Sequence, residues 1–195
     1  MYDLNDISIH SGITATQLEG AVNALKADNG LKGLGEYFIT AENEYNINAV
    51  VLMAIACLES GYGTSELAQT KNNLFGLKAD DDKRGTDEYG ETFDSYEDNI
   101  NTAAFRLGCQ YIVLDPEVAW RYCGSKKLSD VGRIYCTSKD WADKVASLCE
   151  RLESNISYED ASEGVEVNDG IDWKSKYEML VQDLENLINS YKGEM

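Results

Sequence analysis

The chain has 195 residues with 35 acidic and 17 basic side chains, a net charge of -18. That balance excludes a nucleic-acid face, which needs clustered cations, and attachment to an anionic membrane surface. A domain of this length buries a working core without staples, and its one strongly apolar run, Ala49 to Leu58, is too short to cross a bilayer.

In chain order, TATQLEGAVNALKADNG reads as a helix opened by a capping box from Thr16 to Glu19 and stopped at Gly30, with Leu18, Val22 and Leu25 on one face. LGEYFITAENEYN reads as a second helix with Tyr37, Phe38 and Ala41 inward. Asn48 caps the run from Ala49 to Glu59, and a helix apolar all round is the buried centre of a domain. A short helical turn follows around Ser65 to Ala68. Residues 77–93, LKADDDKRGTDEYGETF, are rich in Asp, Gly and Thr and read as a loop with a small β-hairpin. Ser95 caps a helix running to about Val113, and Pro116 restarts a short one carrying Trp120. LSDVGRIYC and SKDWADKVASLCERL are two more, the last with Trp141, Val145, Leu148 and Leu152 at helical spacing. The fold class is mostly α (α+β), a helical domain over residues 1–152 with one small β lobe. Residues 153–170 read as an acidic linker. Residues 171–192 carry Trp173, Tyr177, Leu180, Leu184, Leu187 and Tyr191 at heptad spacing, a helix that either docks on its own domain or forms a homo-oligomer.

The five cysteines (Cys57, Cys109, Cys123, Cys136 and Cys149) are odd in number and dispersed, so they read as reduced thiols used as small core residues. There is no CxxC, and His10 is the sole histidine, which argues against zinc and against a histidine-activated nucleophile. Asp80, Asp82, Gly85 and Glu91 fall at positions 1, 3, 6 and 12 of a calcium loop, but Arg84 stands where a ligand belongs, and the match reads as coincidence. No metal and no cofactor is expected, and chemistry must rest on carboxylates. Glu59 is the first candidate. A carboxylate at the end of an apolar segment is desolvated, its pKa rises, and a raised carboxyl is what a general acid requires. Gly61 and Gly63 then read as residues that open a groove beside it.

LESGYGTSELA followed by KNNLFGLKA resembles the glucosaminidase family of bacterial autolysins and phage endolysins, glycoside hydrolase family 73. GEYFITAENEYNINAVVL, FDSYEDNINTAAFRL and VGRIYCTSKDWADKV resemble further blocks of that family, in the same order. The resemblance implies a lysozyme-like fold that cleaves the β-1,4 bond after N-acetylglucosamine in peptidoglycan glycan strands. It matches Glu59 to the catalytic acid and Tyr135 to a tyrosine lining the site. Asn73, Phe75 and Gly76, with Tyr62 and Trp141, are the implied substrate-binding positions. The family's second carboxylate matches Glu88 in TDEY, with Glu91 and Asp87 as alternatives, and inverting and substrate-assisted mechanisms stay open. The N-terminus, MYDLNDISIHSG, has no basic n-region and no apolar h-region, so the expectation is synthesis in a bacterial host cytoplasm without a signal peptide and action on the cell wall. That fits a phage lysin. A lytic transglycosylase and a non-catalytic wall-binding virion module are the rivals.

Overall fold

The computed structural model describes residues 4–112 and 123–157, all within the first of the chain's two units, Met1–Tyr158. The expected short helix at Pro116 and Trp120, nearly all of the acidic linker and the whole heptad segment 171–192 lie outside the described residues. The described fold is mostly helical. Its elements are α1 (Ala15–Leu25), α2 (Gly35–Tyr45), α3 (Ala49–Ser60), α4 (Glu66–Lys71), a 3-10 turn (Asp81–Lys83), α5 (Tyr96–Phe105), a π-helical segment (Arg106–Tyr111), α6 (Leu128–Tyr135) and α7 (Trp141–Glu153). None of the described helices is long and apolar enough to cross a membrane.

α3 is the axis of the domain. Every residue from Ala49 to Cys57 is buried, as its all-round apolar sequence requires. Its start is held from two sides. Asn48 Oδ1 accepts from the backbone N–H groups of Val50 and Val51, while Asn48 Nδ2 donates to Ile9 O. Glu42, only 3 % exposed, accepts from Ala49 N at 2.8 Å and from Ser11 N and Ser11 Oγ. The orphan donors of the helix start are thereby satisfied inside the protein. α3 packs mainly against α7, and α2 mainly against α5. Val145, Leu148 and Leu152 face the core, as their spacing predicts.

Three local expectations are corrected. The capping box that opens α1 is formed by Thr14 and Gln17: Thr14 Oγ1 accepts from Gln17 N, and Gln17 Oε1 accepts from Thr14 N. Glu19 is instead spent across the fold, accepting from Gly33 N and Gly35 N at the start of α2. The expected hairpin at 77–93 is a set of turns around the 3-10 helix, with no strand among the described residues. Two backbone bonds join its ends, Glu91 N to Leu77 O at 2.8 Å and Gly90 N to Lys78 O at 3.3 Å, and side chains supply further links. Lys71 Nζ donates to the carbonyls of Asp87 (2.6 Å) and Tyr89 (2.8 Å), Asn72 Nδ2 to Phe93 O, and Asn73 Nδ2 to Glu91 O. Finally, Gly63 does not open a groove. A Cβ on it would stand 2.8 Å from the backbone of Gly30, whose N–H donates to Tyr62 O. This turn is pressed against the chain that follows α1.

Candidate active site

The end of α3 explains why the apolar helix stops where it does. Gly61 adopts φ +59°, closing α3 with a left-handed cap that donates to Cys57 O. Ser60 is fully buried, and its Oγ donates to Ala56 O and accepts from Gly63 N. With both neighbours so committed, Glu59 sits in the last turn of α3, half-buried between core and cleft. Burial raises its carboxyl pKa, and a hydrogen bond from Trp141 opposes that rise. The backbone carbonyls at the C-terminal end of a helix also disfavour a negative charge.

The cleft has a volume of about 430 Å³, within the range of sites that hold small ligands. Its lining includes Glu59, Phe75, Gly76, Lys78, Arg106, Tyr111, Tyr135 and Cys136. Each wall has a local cause. The NNLFG loop supplies Phe75 and Gly76. It is fixed by Asn73, whose Nδ2 donates to Leu77 O and Glu91 O and whose Oδ1 accepts from Leu77 N, and by Asn99 Oδ1, which accepts from Leu74 N. A Cβ on Gly76 would lie 3.7 Å from Glu59 Oε2, so this loop passes the carboxylate as bare backbone. The opposite wall comes from the π-helical segment, whose widened turn sets Arg106 and Tyr111 on the cleft. Tyr135 ends α6. Its hydroxyl donates to Phe75 O at 3.4 Å, and its ring stacks on Trp141 with centroids 4.7 Å apart. Burial, and then the Glu59 charge, push the Tyr135 phenol well above its ordinary value, so it remains a neutral O–H donor.

The expected site residues therefore divide. Glu59, Phe75, Gly76 and Tyr135 share the cleft. Trp141 is 3 % exposed and stands behind Glu59, donating its indole N–H to Oε1 rather than offering a face to a sugar. Asn73 is 1 % exposed with its amide spent on the loop backbone, so it shapes the wall without reaching the cleft space. Tyr62 lies outside the cleft lining, under the Lys26 ammonium. Glu88 has 73 % of its side chain exposed and pairs with Lys83. Glu91 is 26 % exposed and pairs with two cleft residues, Lys78 at 2.8 Å and Arg106 at 3.5 Å. Sequence reasoning missed Lys78, Arg106 and Tyr111. Lys78 stood within the quoted KNNLFGLKA motif and Arg106 within FDSYEDNINTAAFRL, and their charge in so acidic a chain was the available signal.

A small helical domain with a half-buried carboxylate at the end of its central helix, facing a cleft walled by aromatics, defines the lysozyme-like class. The chain belongs to the glucosaminidase family of glycoside hydrolases: the family described as mannosyl-glycoprotein endo-beta-N-acetylglucosaminidase matches residues 35–154. Putative endo-beta-N-acetylglucosaminidases from two strains of Streptococcus pneumoniae are 30% identical to it over 158 residues. That alignment takes in 80% of this chain but only 23% and 21% of the pneumococcal proteins, so the chain spans less than a quarter of their length. In fold it is similar to Staphylococcus aureus Autolysin E. A catalytic mutant of that protein in complex with the disaccharide NAG-NAM superposes with a TM-score of 0.58 at 21% identity, over 79% of this chain and 73% of that one. Autolysin E in complex with the muropeptide NAM-L-Ala-D-iGlu gives 0.55 over the same shares.

Proposed function

We propose that the chain is a peptidoglycan hydrolase, an endo-β-N-acetylglucosaminidase that cleaves the β-1,4 bond after N-acetylglucosamine in cell-wall glycan, with Glu59 as the general acid. The observation that carries the reading is the split environment of the Glu59 carboxyl. Oε1 is held by the Trp141 indole, while Oε2 lies beside the bare backbone of Gly76 at the cleft. Burial favours the protonated form, and the proton on Oε2 passes to the bridging oxygen as the bond from the anomeric carbon breaks. The family and the wall fragments bound by Autolysin E support the choice of glycan.

Among the described residues Glu59 is the one carboxylate lining the cleft. This favours the substrate-assisted route, in which the sugar's acetamido oxygen attacks the anomeric carbon and water then opens the cyclic intermediate. Tyr135 faces the same space as a neutral donor and orients the acetamido group. In the inverting alternative, Glu91 or Glu88 activates water from a carboxyl separation of about 6.5–9.5 Å. The ion pairs of Glu91 and the exposure of Glu88 count against it. Digestion of purified peptidoglycan with mass analysis of the chain ends is the test. Reducing N-acetylglucosamine ends are expected. Anhydro-muramic ends would make the protein a lytic transglycosylase, and no new ends would leave a wall-binding module.

A further inference from the structure

We propose that Lys78 and Arg106 form a carboxylate-binding subsite on the cleft wall, selecting glycans with an anionic substituent beside the cleaved bond over neutral N-acetylglucosamine oligomers. The proposal rests on the glycan-cleaving reading above and adds the chemistry by which the substrate is chosen.

Acidic side chains outnumber basic ones 35 to 17 in the chain, so an anionic polymer meets general repulsion. Among the described residues the cleft lining has the opposite balance, with Lys78 and Arg106 against Glu59. Glu91 draws both of them together. Its Oε1 accepts from Lys78 Nζ and its Oε2 from Arg106, leaving a cluster of two cations and one anion with a formal charge of +1.

Glu91 takes one donor from each partner, whereas an ammonium carries three and a guanidinium five. The cluster can therefore bridge to a second carboxylate by charge-assisted hydrogen bonds. Arg106 is the fixed cation, whereas the Lys78 side chain is 68 % exposed and is anchored at its backbone. Arg106 is 24 % exposed at its side chain and starts the π-helical segment. Lys78 keeps a left-handed backbone, φ +56°, which is costly for lysine and persists where surrounding bonds enforce it. Gly90 N donates to Lys78 O, and Asn73 clamps both backbone groups of the preceding residue, Leu77. On this reading Glu91 is the counter-ion that orients two cations, not the base that activates water.

The carboxylate can come from the lactyl group of a muramic residue or from its stem peptide. The test measures binding to the full chain carrying Glu59→Gln, which removes turnover from the measurement. Three ligands are compared: a neutral N-acetylglucosamine hexamer, a peptide-free wall glycan with free lactyl groups, and a peptide-bearing wall glycan. At low salt at least one charged glycan should bind about tenfold more tightly than the hexamer. Arg106→Met, which keeps the apolar stem, and Lys78→Ala should each shrink that preference several-fold, and added salt should shrink it too. The charged glycan that shows the effect identifies the source of the carboxylate. Equal binding of all three, or variants that weaken all three by the same factor, overturns the subsite while leaving the proposed activity intact. Failure of the wild-type chain to cut any wall glycan overturns the activity and the subsite with it.

Discussion

The indole N–H of Trp141 meets Glu59 Oε1 at 2.7 Å, joining the first residue of α7 to the last turn of α3. This bond fixes which carboxyl oxygen is left for the cleft, and it stabilises the anion against the burial that disfavours it. Trp141→Phe keeps most of the ring stack with Tyr135 but removes the donor. The expected result is a loss of roughly 10- to 100-fold in kcat/KM as the carboxyl loses its fixed orientation. The sign of the pH effect is also set. Without the donor the anion is less favoured, so the Glu59 pKa rises further and the alkaline limb of the pH–rate profile moves to higher pH. Among the described residues, the other titratable or charged groups lining the cleft with Glu59 are Lys78, Arg106, Tyr111, Tyr135 and Cys136, and the substitution leaves all five in place. A profile that loses height without moving its limb would reduce Trp141 to a packing residue.

Glu59→Gln separates chemistry from stability. Glutamine still presents an oxygen to the Trp141 indole but has no proton to give, so kcat should fall by about 10²–10⁴. Folding stability should move the other way. The folded state raises the Glu59 pKa above its ordinary value of 4.5, so it holds its proton to higher pH than the unfolded chain does. Protons bound by the folded form then exceed those bound by the unfolded form, and stability declines as pH rises above that ordinary value. Melting temperatures of the two proteins should lie closest at pH 4. At pH 8 the variant should melt higher than the wild type. A gap independent of pH would show that Glu59 carries no desolvation strain.

The parts of this architecture visible in the sequence are those dictated by continuous apolar pattern. The buried run from Ala49 to Cys57, the carboxylate at its end and the Trp141–Val145–Leu148–Leu152 stripe were all written in composition and spacing. What stayed hidden depends on bonds between distant residues. The turns at 77–93 are held by Lys71, Asn72 and Asn73 reaching backbone carbonyls, contacts with no periodicity to read. Arg106 and Tyr111 escaped notice because a π-helical turn breaks the 3.6-residue register by which a helix face is inferred. Trp141 was visible as an aromatic, but its role is set by where α7 meets α3, a tertiary relationship.

Asn73 should act on the loop before it acts on catalysis. Its side chain makes three hydrogen bonds to backbone groups of Leu77 and Glu91 while 1 % exposed. Asn73→Ala removes the partner of Leu77 N and Glu91 O, while Leu77 O keeps the Glu91 N–H, and should cost about 2–4 kcal/mol of stability, measured by denaturant unfolding. Asn73→Asp should also destabilise at neutral pH, because a carboxylate oxygen replaces the amide donor facing two carbonyls. A variant as stable as the wild type but weaker in glycan binding would instead make Asn73 a substrate contact.

Tyr135 supplies the sharpest test of the substrate-assisted route. Tyr135 lines the cleft with Glu59, its O–H exchanges the long 3.4 Å bond to Phe75 O for one to substrate, and its phenol is held neutral by burial and by the Glu59 charge. A residue in that state works as a hydrogen-bond donor and not as a phenolate base. Tyr135→Phe should therefore lower kcat by roughly 10²-fold, the scale of losing one aligned donor in a transition state. KM should change far less, and the packing on Trp141 should persist because the ring is retained. The pH–rate profile of the variant should keep the shape of the wild type through the range in which an ordinary phenol titrates. If the wild type instead shows activity rising with phenol ionisation, and Tyr135→Phe abolishes that rise, the tyrosine is acting as a base and the acetamido group is not the sole source of assistance.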